Sequence, residues 1–137
     1  MSLRPILLLA LAGLAGCAIG PSPALRLSGA ETRTPTDPPA VVPAGFVTTR
    51  DGAQMDLVTA DGMRLTGSLR TEQQPVVVPL AATGTPLVGG GTDLVGRIAG
   101  NGLAMECRFR LLNPQRGLDG GGSGRCAGDG RNVDFLF

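Results

Sequence analysis

Two stretches of the chain alternate between apolar or small residues and polar ones. Residues 63–70 and residues 105–111 both follow this period of two without a break. Because successive side chains of a β-strand point to opposite faces of the sheet, each stretch is predicted to be a strand with one buried and one solvated face. Weaker alternation predicts further strands over residues 54–59, 76–80, 94–99, 123–127 and 132–137.

Prolines and Asp-Gly pairs predict where these strands end. The run Val76-Val77-Val78 lies between Pro75 and Pro79, which predicts a short edge strand because proline has no N–H to donate to a sheet. Asp-Gly is favoured in tight turns. The chain contains four such pairs, at residues 51–52, 61–62, 119–120 and 129–130. The segments after the pairs at 61–62 and 129–130 are predicted to be hairpins of similar build.

No stretch after Cys17 sustains the helical period of 3.6 residues. The pattern therefore predicts an all-β fold, either a small antiparallel barrel or a sandwich, of six to eight short strands. The alternation begins near Phe46. Residues 18–45 instead contain six prolines interleaved with Ser, Thr and Ala, so they are predicted to form a partly extended linker.

Composition narrows the classes of function. The chain contains no histidine, tryptophan, tyrosine or lysine, and its 12 basic residues are all arginine. The absence of histidine removes the usual general base and the commonest metal ligand, and the absence of Trp and Tyr removes the best base-stacking side chains. The formal net charge is only +1, so no strong basic field attracts nucleic acid. We expect no nucleic-acid partner, no cofactor and no metal site.

The first seventeen residues have the order of a bacterial export signal. Arg4 is followed by an apolar run over residues 6–14, and the run ends in Leu14-Ala15-Gly16-Cys17. These four residues resemble the lipobox of bacterial lipoproteins. The resemblance implies cleavage before Cys17 and acyl chains on Cys17 that hold the protein on a membrane. The residue after the cysteine is Ala18 and not aspartate. In this it resembles the Gram-negative lipoproteins that are sorted to the outer membrane.

The alternative for this segment is an uncleaved transmembrane helix. This helix would run from Pro5 to about Ile19, which is shorter than the ~20 residues that a helical span usually needs, and it would contain Gly13 and Gly16. The lipoprotein interpretation divides the chain into three parts. Residues 1–16 are a signal peptide, residues 17–45 are the lipidated cysteine with a Pro-rich tether, and residues 46–137 are a small β domain.

Cys107 and Cys126 remain as an even pair once Cys17 is assigned to lipid. Export to an oxidising compartment allows them to form a disulfide. The bond would close a glycine-rich loop and stabilise the fold by about 3 kcal/mol in the chain-entropy model. The alternative is two buried free thiols.

Motifs for catalysis or ligand binding are weak. The glycine-rich residues 119–124 and 89–91 lack the Lys-Ser/Thr ending of a phosphate-binding loop. Residues 121–126 begin like a calcium-binding repeat, but Cys126 stands at the aspartate position. No serine has a histidine to activate it. The charged residues on or near the predicted strands are expected to be solvated: Glu106, Asp119, Asp134, Arg108, Arg110 and Arg125.

These observations favour a non-catalytic binding or structural module, anchored in the envelope and facing the periplasm from the outer membrane. Its partner would be an envelope protein or a glycan. The alternatives are a carboxylate-dependent enzyme acting on envelope polymers and a carrier of a small ligand. A deep polar cleft with converging acids would favour the enzyme, and an apolar cavity inside a barrel would favour the carrier. A filled core with a shallow surface would favour the module.

Overall fold

The computed structural model describes residues 25–78 and 87–137. In this part, eight antiparallel strands follow one another around a closed barrel, each paired with the next along the chain and β8 paired with β1. The strands are β1 (Leu25–Thr32), β2 (Ala40–Thr49), β3 (Gly52–Val58), β4 (Arg64–Val78), β5 (Leu87–Gly100), β6 (Leu103–Leu111), β7 (Gly122–Gly128) and β8 (Arg131–Leu136). The prediction of a small all-β fold with six to eight strands is confirmed, and the architecture is a barrel.

The domain boundary differs from the one that the sequence suggested. Residues 25–45 were expected to be tether, but they form β1 and the first part of β2. The prediction is wrong for these residues because the prolines there do not interrupt pairing. Pro43 pairs with Ser28 of β1 and precedes the first residue of β2 that pairs with β3, so it occupies a position where proline is tolerated. Residues 1–24, which include Cys17, lie outside the described residues.

The turns at one end of the barrel use residues with positive φ. Asp129-Gly130 joins β7 to β8 with φ values of 50° and 69°, and Asn101-Gly102 joins β5 to β6 with 52° and 78°. Both are two-residue turns of the kind that matches the twist of hairpin strands. The other Asp-Gly pairs behave differently. Asp61-Gly62 lies in a longer loop, residues 59–63, and Asp119-Gly120 belongs to a 3₁₀ turn, η1 (Gly117–Gly120).

β4 and β5 are longer than the other strands. Val76–Val78 was predicted to be a short edge strand. It is paired on one side only, with the beginning of β5, but it is the end of the long strand β4 and not a short strand of its own. β3 pairs with β4 only as far as Arg70, and β6 pairs with β5 only from Asp93 onwards. Beyond these points β4 and β5 pair with each other alone, as a two-stranded ribbon that leaves the barrel.

The two ends of the barrel carry different parts of the chain. Because neighbouring strands run in opposite directions, β1 begins where β8 ends. We call this the proximal end. It also holds the β2–β3 turn, the β4–β5 ribbon and the β6–β7 connection with η1. The distal end holds the other four connections: β1–β2, β3–β4, β5–β6 and β7–β8.

Side chains fill the interior of the barrel. Phe46 of β2 meets Phe109 of β6 edge to face at 5.3 Å between ring centroids, and Phe135 of β8 lies 5.3 Å from Phe109. Leucine, methionine and valine from the other strands surround the rings, and Leu118 of η1 covers the proximal end. An eight-stranded barrel has an interior just wide enough for such packing. The described part therefore has a packed core.

Room for these rings depends on Gly124. A Cβ added there would lie 2.1 Å from Cδ1 of Phe109, whereas a Cβ added at Gly45 on the outer wall would meet no atom within 4 Å. We predict that Gly124→Ala lowers the free energy of unfolding by about 1–3 kcal/mol, since the ring has to leave its position. Gly45→Ala, the matched control, should change it by less than about 0.5 kcal/mol. Urea unfolding of the two variants measures both values, and equal effects would contradict this account.

Candidate functional site

The two cysteines predicted to pair form a disulfide. Cys107 of β6 and Cys126 of β7 are direct partners across the two strands, with Cα atoms 4.0 Å apart, and both side chains are buried. The bond closes the loop that contains η1 and its glycines. It therefore fixes the β6–β7 connection, which covers the proximal end of the core.

A buried carboxylate lies on the outer wall of the barrel. Asp93 of β5 points outward, yet only 2% of its side chain is exposed, because arginines from β6 cover it. Nη1 of Arg108 donates to Oδ2 of Asp93 at 2.8 Å, and Nε of Arg110 lies 3.7 Å from Oδ1. Arg108 also lies 3.5 Å from Glu72 of β4. Arg108 and Arg110 are half or more exposed, as the alternation predicted, but they hold carboxylates of neighbouring strands.

A second buried carboxylate lies at the distal end. Glu31 of β1 accepts a hydrogen bond from the backbone N–H of Ala60 at 2.6 Å, which ties the β3–β4 loop across the end of the barrel. Nη1 of Arg131 lies 3.3 Å from Glu31, and the same guanidinium binds both oxygens of Asp61 at 2.8 and 3.0 Å. Arg33 lies 3.3 Å from both acids. We call Glu31, Asp61, Arg33 and Arg131 the distal cluster.

The loop in the distal cluster is also fixed by Thr59. Its buried hydroxyl donates to Asp61 and accepts from the backbone N–H of Met63 at 3.0 Å. The guanidinium of Arg131, followed by the hydroxyl of Thr59, holds the pKa of Asp61 well below its usual range. Asp61 in turn raises the pKa of Arg131. The cluster is an ion-paired closure of the barrel, and its carboxylates are engaged by cations.

An open cleft of about 270 Å³ lies at the proximal end, between η1 and the β2–β3 turn. Its base is apolar and consists of Leu94, Leu111 and Leu118. Two arginines, Arg50 and Arg116, border it, and among the described residues neither forms a salt bridge. Threonine hydroxyls complete the border: Thr48, Thr49, Thr71 and Thr92. Cationic and hydroxyl donors around an apolar base suit an anionic group attached to an apolar body.

Five of the six charged residues singled out from the sequence lie along the wall formed by β6, β7 and β8. Arg125 of β7 binds Asp134 of β8 through two contacts of 2.6 and 3.1 Å, which raise the pKa of Arg125. Glu106 lies 3.8 Å from Arg97. Asp119 lies in η1. Arg125 and Asp134 line one open groove on the wall, of about 530 Å³, together with Glu106, Arg108 and Arg110, and Asp119 is not among its lining residues.

Within residues 25–78 and 87–137, no group of three acidic, cysteine or histidine side chains is placed to hold a metal ion. No helix in this part is long and apolar enough to cross a membrane. Comparisons with protein families, with curated proteins and with solved structures found no match to the chain. The candidate sites therefore rest on the chain's own geometry.

The distal cluster generates a prediction about pH. A carboxyl whose pKa is lowered by folding stabilises the folded state above its ordinary pKa, and that contribution is lost as the pH falls through the lowered value. We therefore expect Asp61 to remain ionised at pH 4, close to the ordinary pKa of an aspartate at about 3.9. Arg131→Gln should raise the pKa of Asp61 towards that value. Carbon-detected NMR titration of the side-chain carboxyl measures it.

The matched control for this titration is Arg125→Gln. It removes an arginine that binds Asp134 on the wall and leaves the contacts of Asp61 in place. The pKa of Asp61 should not change in this variant. A wild-type Asp61 that titrates near pH 4, or an equal shift in both variants, would show that the Arg131 contact is not maintained in solution.

Proposed function

We propose that the chain is the precursor of a bacterial lipoprotein, anchored through acyl chains on Cys17, whose barrel is a non-catalytic binding module in the envelope. Leu14-Ala15-Gly16-Cys17 at the end of a basic and then apolar segment supports the anchor. The position of β1 adds to this argument. Leu25 begins the barrel only eight residues after Cys17, so the anchor and the folded domain would be close together.

The packed interior is the observation that carries the choice of a binding module. The phenylalanine rings and their neighbours occupy the space in which a carrier would hold its ligand. Three cavities of the described part open to solvent, one at the proximal end and two along the wall. A rigid barrel with its contacts on the outside suits recognition of a large partner, either an envelope protein or a glycan.

The carboxylates also favour the module over the enzyme. Glycan hydrolysis through two carboxylates needs them on either side of the bond to be cleaved, one of them protonated at the start. The buried acids, Glu31 and Asp93, are both in contact with arginines. They belong to β1 and β5, which are not neighbours in the barrel, so these two acids do not flank a common cleft.

Anchoring predicts incorporation of fatty acid at one residue. When the full chain is expressed in a Gram-negative host with radiolabelled palmitate, the mature protein should carry the label and fractionate with the outer membrane. Cys17→Ala should abolish the label and leave the precursor uncleaved. The double variant Cys107→Ala/Cys126→Ala, which removes the other thiols, should keep the label. Label that survives Cys17→Ala would contradict the anchor.

A binding module predicts capture of a partner from its exposed surface. A photoreactive amino acid at Val41 or Gln54, which are exposed on β2 and β3, should crosslink in living cells to a discrete protein or to a peptidoglycan fragment. The unirradiated sample is the control. A small molecule bound in equimolar amount to the purified protein, with no crosslink from either position, would instead support the carrier.

A further inference from the structure

We propose that the proximal end of the barrel is a membrane-docking face, which rests on the phospholipid headgroups of the bilayer that holds the anchor. Leu112 and Leu136 enter the interfacial region, and Arg50 and Arg116 contact lipid phosphates. The inference rests on the proposed anchoring for its biological setting, but the surface itself is a property of the folded barrel.

Exposed leucines mark this end. Leu112, directly after β6, and Leu136, the last residue of β8, are 78% and 85% exposed. Leu112 lies beside Gly121, and so does the backbone carbonyl of Phe137, which places the end of β8 next to the start of the β6–β7 connection. Leu25, Leu27 and Phe137 pack against the core and are only partly covered. The proximal end thus has an apolar border.

The ribbon of β4 and β5 is also part of this end. It leaves the barrel at the proximal end, and its paired backbone includes Val76–Val78 opposite Leu87–Gly89. By sequence this part of the ribbon is apolar and carries no charged residue. A ribbon whose backbone groups are paired can approach the headgroup region with fewer unsatisfied polar groups than an open loop could.

The charges at the two ends differ in how they are paired. Arg50 and Arg116 border the proximal cleft without a salt bridge to a described residue, although Asp51 and Asp119 are close to them in sequence. At the distal end the arginines of the distal cluster are engaged with acids. Guanidinium groups at the edge of an apolar surface suit phosphate, which accepts two parallel N–H bonds from one arginine.

The length of chain before β1 identifies the occupant of this face. Seven residues separate Cys17 from Leu25, and an extended chain spans at most about 3.3–3.6 Å per residue. Leu25 is therefore held within roughly 30 Å of the acylated residue. Since β1 begins at the proximal end, that end is the one nearest the bilayer, and the membrane is the surface available to cover it.

Vesicle binding of a non-acylated chain tests the face without the anchor. The full mature chain carrying Cys17→Ser should co-sediment with vesicles that contain phosphatidylglycerol, more weakly with phosphatidylcholine alone, and less as salt is raised. Leu112→Ser and Leu136→Ser should each reduce the partition coefficient at least about fivefold. Arg50→Gln and Arg116→Gln should each reduce it by roughly fivefold on anionic vesicles.

Two positions away from this face supply matched controls. Val41 of β2 lies at the distal end and is 80% exposed, so Val41→Ser removes a comparable apolar group. Arg97 lies on the wall, so Arg97→Gln removes the same charge as the test variants. Both control variants should bind vesicles as the parent does. Binding lost equally in test and control variants would overturn the proposal, because it would reflect overall charge or folding.

A second measurement locates the contact. In the Cys17→Ser chain with its disulfide intact, a new cysteine at position 112 or 41 is the single free thiol and can carry an environment-sensitive fluorophore. Anionic vesicles should shift its emission to the blue at Leu112→Cys and leave Val41→Cys unchanged. No shift at either position, or concentration-dependent dimers through Leu112 and Leu136 in ultracentrifugation, would overturn membrane docking.

These tests separate docking from anchoring. If palmitate labelling fails and vesicle binding is intact, the anchoring proposal is wrong and the docking proposal stands. If labelling is normal but the Cys17→Ser chain does not bind vesicles and shows no emission shift at position 112, the anchoring proposal stands and the docking proposal is wrong.

Discussion

Closure of the sheet is the constraint on which the rest of this molecule depends. β1 pairs with β8 through Gly29 to Thr32, and this leaves no free edge in the barrel wall. A closed wall of eight strands encloses a narrow interior, and the phenyl rings of Phe46, Phe109 and Phe135 occupy its centre. Small residues opposite the rings are then required. Gly29 and Gly124 both lie where a Cβ would collide with a ring.

Because side chains fill the interior, a binding function has to use the outside of the barrel. The ends have to be sealed because a short barrel exposes its core there, and the two ends use different chemistry. An apolar residue of η1, Leu118, covers the proximal end, and the Cys107–Cys126 disulfide closes the loop that carries it. The distal end is crossed by a loop that an acid and an arginine hold in place. The wall between them carries arginine–carboxylate pairs.

The sequence predicted strands that combine apolar inward residues with polar outward residues, and it missed two strands in which one half of that pattern fails. β6 alternates cleanly between buried and exposed positions, so its period is visible. In β2 the outward positions include Val41, Pro43 and Val47, and the alternation disappears from the sequence although it is present in the burial of the strand. In β1 the inward positions include Gly29 and Glu31, which do not read as core residues. β1 and the first part of β2 were therefore assigned to the tether.

Some of the site residues could be predicted from the pattern along a single strand, and others could not. The disulfide was predictable because Cys107 shares the inward phase of a regular strand and Cys126 was its available partner. The distal cluster was not, since Glu31, Asp61 and Arg131 come from three distant segments that meet only when the barrel closes. Asp93 shows a further limit. Its side chain faces outward and is buried by arginine side chains of β6. The pattern of apolar and polar residues along β5 cannot reveal this burial, because the covering residues belong to another strand.

Shortening the tether changes what an anchored barrel can do. A spacer of nearly thirty residues would let the domain sample a wide volume and contact partners with any face. With the barrel beginning at Leu25, seven residues remain between Cys17 and the barrel, and β1 enters the wall from the proximal end. An anchored barrel would then have a preferred orientation, with η1 and the cleft towards the bilayer and the distal cluster away from it.

The wall and the distal end remain available to an envelope partner. At the distal end the β5–β6 and β7–β8 turns have two residues each, and hydrogen bonds fix the β3–β4 loop. Little of that surface can rearrange, so specificity for a partner has to reside in the fixed pattern of arginines and carboxylates along the wall.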